Sequence, residues 1–279
     1  MRSSRRTRRF VITLAAATSL ACGALTAGAA SAATPTPGGG LTHPDQDHAG
    51  SAAARRTEPA RPASAPAGIQ GLDVSGWQGD VDWDSVKADG AKFAYVKATE
   101  STTYHSSFFP QQFNGAHDVG IVRGAYHYAV PNKASGAAQA DYFVDNGGGQ
   151  TGDGQTLPGV LDIEDDPYTA TDGTDECYGL APAQMVNWIS DFLSEYHART
   201  GWNAVINTFT QWWNDCTGGS TEFAAHHPLW INNHGDTPGP MPAGWRTYAI
   251  WQWSDTGVFP GDQDVLNDDL YTKLLAHER

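Results

Sequence analysis

Two periods of hydrophobicity run through residues 68–279. Short runs rich in β-branched and aromatic residues recur at 69–74, 93–98, 121–129, 157–164, 204–208, 229–232 and 248–253 and read as strands. Between the first five lie helical patterns at 83–89, 110–119, 135–146 and 182–200. The last has apolar residues at 185, 186, 189, 192, 193 and 196, which is one buried helix face. Strands alternating with helices predict an α/β fold, either a parallel barrel or a doubly wound sheet. After Thr208 the helices shrink and aromatic strands follow one another, so the second half does not repeat the first.

The first 67 residues differ in kind. A basic start (Arg2, Arg5, Arg6, Arg8, Arg9), an apolar stretch from Phe10 through Leu25 and the small-residue end "AGAASAA" form a secretory signal peptide over 1–32. Its paired arginines leave both the general and the twin-arginine export routes open, and the residues before Cys22 do not suit a lipoprotein anchor. Residues 33–67 are dominated by Pro, Ala and Gly and are expected to be a disordered pro-segment or linker. The catalytic domain is therefore placed at 68–279, where all ten Trp lie.

Charge divides at the same boundary. Residues 1–67 hold eight Arg and three acids, and the remainder holds nine basic and 28 acidic residues, so balances of +5 and −19 make up the total of −14. A domain at −19 is repelled by phosphate backbones, which argues against nucleic-acid binding. Two cysteines remain after a signal peptide is removed, Cys177 and Cys216. In an exported chain an even pair favours a disulfide, the alternative being two separate buried thiols.

Candidate chemistry follows from where the acids fall. In α/β barrels functional groups gather at the carboxyl ends of strands. Asp73 ends the first run, Glu100 follows the second, Asp162 and Glu164 end the fourth in "GVLDIEDDP", and Asp262 and Asp264 follow the last aromatic run. A period of two points Asp162 and Glu164 to one face. Trp77, Tyr126, Tyr128, Trp230, Trp251 and Trp253 supply flat apolar surfaces near these ends. Carboxylates among aromatic platforms suit a glycan-cleaving cleft, in which one acid protonates the leaving oxygen, another stabilises positive charge, and rings stack on sugars.

Other patterns carry less. Asp165 and Asp166 read as a turn before Pro167. "DVDWDS" at 80–85 lacks the Gly and Glu of a calcium loop. His226 and His227 have no companion at metal-binding spacing, and "NGGGQTGDG" follows a helix and precedes a strand, the wrong order for a phosphate loop. No metal or cofactor is expected. His127 could serve packing or substrate contact equally.

The stretches "GLDVSGWQGDVDWDSVKADGAKFAYVKATE", "GIVRGAYHYAVP", "LPGVLDIE", "WWNDCTGG" and "WQWSDTGVFPGDQDV" resemble the Chalaropsis-type lysozymes, the family-25 glycoside hydrolases. The resemblance covers 68–279 in order. It implies an irregular TIM-like barrel, five β/α units followed by strands lacking regular helices, and hydrolysis of the β-1,4 bond between N-acetylmuramic acid and N-acetylglucosamine in peptidoglycan. It further implies Glu164 as general acid, Asp162 as its partner, Asp73 and Asp264 as outlying cleft aspartates, and a Cys177–Cys216 bridge. Where the family has Tyr in a run like "VIYT" this chain has Asn207, and "LWINNHG" brings Asn232, Asn233 and His234 to a cleft wall that differs from the family's.

The spacing of Asp162 and Glu164 leads to the expectation that Glu164 holds the proton while Asp162 stays ionised. Asp162 then either attacks the anomeric carbon or orients the substrate's acetamido group. Expected substrate contacts are Trp77, Glu100, Tyr126, Tyr128, Asn207, Trp230, Asn232 and Trp251. The expected partner is peptidoglycan, met outside the cell by a secreted monomer without stable membrane association. Alternatives are hydrolysis of another glycan, such as a chitin-like polymer, and a non-catalytic glycan-binding role.

Overall fold

The computed structural model describes residues 41, 43–52, 64–149, 151 and 153–268. The expected signal peptide, Cys22 and the remainder of the expected linker lie outside the described residues.

Eight strands close into a barrel. In order around it are β1 (Ile69–Val74), β2 (Phe93–Glu100), β4 (Val122–Tyr128), β5 (Val160–Asp162), β6 (Val205–Thr208), β7 (Leu229–Asn232), β8 (Ile250–Ser254) and β9 (Asp262–Leu266), with β9 returning to β1. A short β3 (Tyr104–His105) is appended to β2. Neighbours from β1 through β8 are parallel, and β9 runs antiparallel to both β8 and β1. Helices α1 (Trp83–Ala88), α2 (Phe109–Asp118), α3 (Gly136–Phe143), α5 (Pro182–Thr200) and α6 (Thr210–Thr217) follow strands 1, 2, 4, 5 and 6, and a one-turn α4 (Thr169–Asp172) lies between β5 and α5. The five β/α units and the trailing strands agree with the expected irregular barrel.

Local chemistry sets the element ends. Asp82 and Ser135 accept hydrogen bonds from the Ser85 and Ala138 amides at the starts of α1 and α3. Helix α5 opens with Pro182, has Gln184 Oε1 accepting from the Ala181 amide, and stops at Gly201 in the left-handed region. Its face of Met185, Trp188, Ile189, Phe192, Leu193 and Tyr196 is buried.

Strand alternation divides the core into two layers. Phe93, Tyr95, Tyr126, Val160, Val205, Trp230, Ile250 and Leu266 form the barrel interior, and the opposite faces pack against the helices. Gly71 and Gly124 flank β2 inside the barrel, where a Cβ would stand 2.4 Å from the Phe93 ring and 2.2 Å from the Tyr95 ring, so both rings need those glycines. Strand β9 was not predicted from the pattern. Its sequence "DQDVL" is mostly polar, yet all five residues are buried, because Asp262 and Asp264 line the cleft.

Candidate active site

Strand register assembles the polar residues at the carboxyl end of the barrel. Asp162 is level with Tyr128 and Asn207, Asn232 with Gln252, Gln252 with Asp264, and Asp73 with Asp262. Parallel strands thus bring these side chains from distant parts of the sequence into one ring, at the end of the fold where such barrels carry their chemistry.

Asp73, Asp162, Glu164 and Asp264 are all buried. Gln252 Nε2 donates to Asp73 Oδ2 at 2.9 Å and to Asp262 Oδ2 at 3.0 Å, and Trp230 Nε1 donates to Asp264 Oδ1 at 3.0 Å. Burial, then the charge of Asp262, pushes Asp73 well above the usual carboxylate range; burial, then Asp73 and Asp262, does the same for Asp264.

Asp162 is also pushed well upward, by burial first and the charge of Glu164 second. Neither of its oxygens has a hydrogen-bond partner among the described residues. Glu164 Oε1, by contrast, accepts from Ser51 Oγ at 2.9 Å and from the Ala52 amide at 3.2 Å. Burial thus drives Asp162, expected to be ionised, towards its neutral form, while one Glu164 oxygen is engaged as an acceptor.

Glu100 belongs to a second cluster. Lys97 Nζ lies 2.6 Å from Glu100 Oε2, and Tyr168 OH donates to Glu100 Oε1. Burial outweighs Lys97 and raises Glu100 to about 7. Asn207 and Asn232 pair reciprocally through their amides at 2.9 and 2.7 Å, so each satisfies the other in a buried wall. Tyr126, Tyr128 and Trp230 are fully buried in the ring, and Trp77, on the turn just after β1, is 64% exposed.

Some expected contacts lie elsewhere. Trp251, beside inward-facing Gln252, packs in the layer between barrel and helices and donates to the Asn233 carbonyl at 2.7 Å. His127 bonds Thr99 and Gln139 at 2.8 and 2.9 Å and packs on Phe143 and Phe192. Burial lowers it to about 3, so its role is packing. Cys177 and Cys216 form a disulfide with Cα atoms 5.3 Å apart.

Sequence reasoning missed Gln252, Lys97 and Tyr168. Lys97 inside the apolar "FAYVKATE" and Gln252 between two Trp were visible as polar residues at inward positions of strands.

Residues 43–52 fall in the stretch expected to be disordered, and they lie against this ring. Lys97 Nζ donates to the carbonyls of Pro44 and Asp47 at 2.8 and 2.5 Å, Tyr168 OH lies 2.8 Å from Asp47 Oδ2, and Gln252 Nε2 lies 2.8 Å from the Ala49 carbonyl. His48 Nδ1 lies 3.3 Å from Asp262 Oδ2. Burial alone would lower the His48 imidazole, but Asp262, then Asp73 and Glu164, raise it to about 9.

Residues 72–262 match the family model for glycosyl hydrolases family 25. The chain is 50% identical over 194 residues to Lysozyme M1 of Streptomyces globisporus, a match spanning 70% of this chain and 64% of that relative, just under two thirds of its length. It is 41% identical over 206 residues to the N,O-diacetylmuramidase of Chalaropsis sp, covering 72% of this chain and 95% of the relative. The solved muramidase from Acremonium alcalophilum superposes with a TM-score of 0.70 at 47% identity, over 75% of this chain and 97% of the other. With the barrel and its ring of carboxyls in place, these matches identify the chain as a member of glycosyl hydrolases family 25.

Proposed function

We propose that the protein is a lysozyme that hydrolyses the β-1,4 bond between N-acetylmuramic acid and N-acetylglucosamine in peptidoglycan. The observation that carries this is the buried pair Asp162 and Glu164, two residues apart at the mouth of a closed barrel, with Asp73 and Asp264 beside them. The resemblance of the chain to proteins named lysozyme and muramidase supports the substrate.

Glu164 is the general acid. On a continuing strand path its Cα is roughly 6.5–7 Å from that of Asp162, so the two carboxyls share one electrostatic environment and hold a proton between them. With substrate bound, Glu164 gives that proton to the glycosidic oxygen, the bond to the anomeric carbon breaks, and positive charge develops on the sugar. Asp162, then ionised, stabilises that charge either as nucleophile or by orienting the substrate's 2-acetamido oxygen for attack. Water completes the hydrolysis with Glu164 acting as base. Asp73, braced by Gln252, and Asp264, braced by Trp230, form one wall of the cleft. Trp77 offers the exposed ring for sugar stacking.

The protein is secreted through residues 1–32 and works outside the cell as a monomer. No helix among the described residues is long and apolar enough to cross a membrane. The test is reducing-end release from purified peptidoglycan beside colloidal chitin, with the masses of the products. Muramic-acid reducing ends from peptidoglycan alone support the reading. Faster release from chitin overturns it.

A further inference from the structure

We propose that residues 43–52 are an intramolecular inhibitor that closes the glycan cleft, so that the full chain is a latent form of the enzyme. The inference rests on the lysozyme reading for what is inhibited, but not for the occupancy of the cleft.

The segment contacts four parts of the site. Ser51 and Ala52 engage Glu164, Ala49 engages Gln252, His48 faces Asp262, and Asp47 engages the Lys97–Tyr168 cluster. With it in position Asp162, Glu164 and Asp264 have no exposed surface and Asp73 is 2% exposed. A polysaccharide cannot reach carboxyls so enclosed.

The sequence of the segment suits its place. Ala49, Gly50, Ser51 and Ala52 are small and buried. Gly50 has φ +77°, and a Cβ there would stand 1.7 Å from Gln252 Oε1. The flanking residues match the local charge: the His48 imidazole lies among Asp262, Asp73 and Glu164, the region where the reaction develops positive charge, and Asp47 lies within hydrogen-bond distance of Tyr168. Ser51 and Ala52 share one Glu164 oxygen, so the segment sits on the carboxyl that a glycosidic oxygen would have to approach. Attachment to the barrel gives the segment a high effective concentration; separation by hydrolysis of a peptide bond between residues 53 and 67, water yielding a new carboxylate and amine, would forfeit it.

The test compares the full chain with its Gly50→Val variant, which cannot keep the segment seated. A second protein carries a site-specific protease sequence in place of residues 57–62. Cleft occupancy is read by hydrogen exchange at the Ser51 and Ala52 amides, independently of any glycan. The full chain is expected to protect these amides, Gly50→Val to lose the protection, and peptidoglycan cleavage to rise about tenfold or more both in the variant and on cutting, since activity scales with the open fraction. Free exchange at these amides in the full chain overturns the proposal whatever the glycan result. Protected amides with equal cleavage by all forms overturn the inhibition. Protected amides with rates that rise only on chitin leave the inhibitor standing and overturn the muramidase reading instead.

Discussion

Ser51 Oγ donates to Glu164 Oε1 at 2.9 Å, joining residues 113 positions apart in sequence and tying the expected linker to the expected general acid. A hydrogen bond to a charged group contributes about 1.5 kcal/mol or more, close to a factor of ten. Ser51→Ala should therefore raise the peptidoglycan activity of the full chain severalfold, with its melting temperature nearly unchanged. Unchanged or lower activity would count against the closed cleft.

Asp162→Asn should separate chemistry from stability. The carboxyl is buried, has no hydrogen-bond partner among the described residues, and is pushed towards neutrality. An amide carries no charge to desolvate, so the variant should melt higher at neutral pH while losing roughly 10² or more in rate. A mild rate loss would favour attack by the acetamido oxygen with Asp162 in a minor role.

Stability should fall as pH rises between about 6.5 and 9. Asp73, Asp162 and Asp264 are raised well above the usual carboxylate range, so above that range the folded state keeps protons that the unfolded state has already lost, and Glu100, raised to about 7, acts the same way up to about pH 7. His48, raised to about 9 by Asp262, Asp73 and Glu164 against the opposing effect of burial, acts in the same direction: its contribution is complete below its unfolded value and lost as pH passes 9. Below about 6.5 the buried, neutral His127 opposes the trend, because its unfolded form takes up a proton. Thermal unfolding across this range checks the sign, and a melting temperature that climbs towards pH 9 would contradict it.

The Cys177–Cys216 bridge joins the segment before α5 to α6, away from the carboxyls. Denatured but unreduced protein should titrate with no free thiol at these positions. Closing a loop of 39 residues stabilises by about 3 to 4 kcal/mol, so reduction should lower the melting temperature and leave the cleavage rate of the surviving folded protein intact. Loss of activity without loss of fold would assign the bridge a role in the cleft.

The barrel was legible because its parallel strands are buried on both faces and read as apolar runs; β1, β7 and α5 have the bounds that the pattern predicts. Strand β9 was not, because Asp262 and Asp264 make it look like a polar loop until the ring that buries them is known. The acids were legible from their positions after strands. The roles of Gln252 and Lys97 were not, since they include partners far along the chain, Asp73 for Gln252 and Pro44 and Asp47 for Lys97. In the expected linker the Pro, Ala and Gly content masked "THPDQDHAGSAA", whose His43, Asp45, Asp47 and His48 are polar groups that a tether does not need. A seated segment does need them, because each polar group it buries must be satisfied.

The most direct test of the account is reducing-end release from peptidoglycan by Gly50→Val and by the double variant Gly50→Val, Glu164→Gln. In the first the cleft is open and the acid intact; in the second the amide keeps the shape of Glu164 but has no catalytic proton to give. The account predicts rapid release of muramic-acid reducing ends by the first, and less than about a hundredth of that rate by the second, with both proteins folded and both bound to the glycan. Release by the double variant within about tenfold of the single one would contradict it, because the proton would then come from a group other than Glu164.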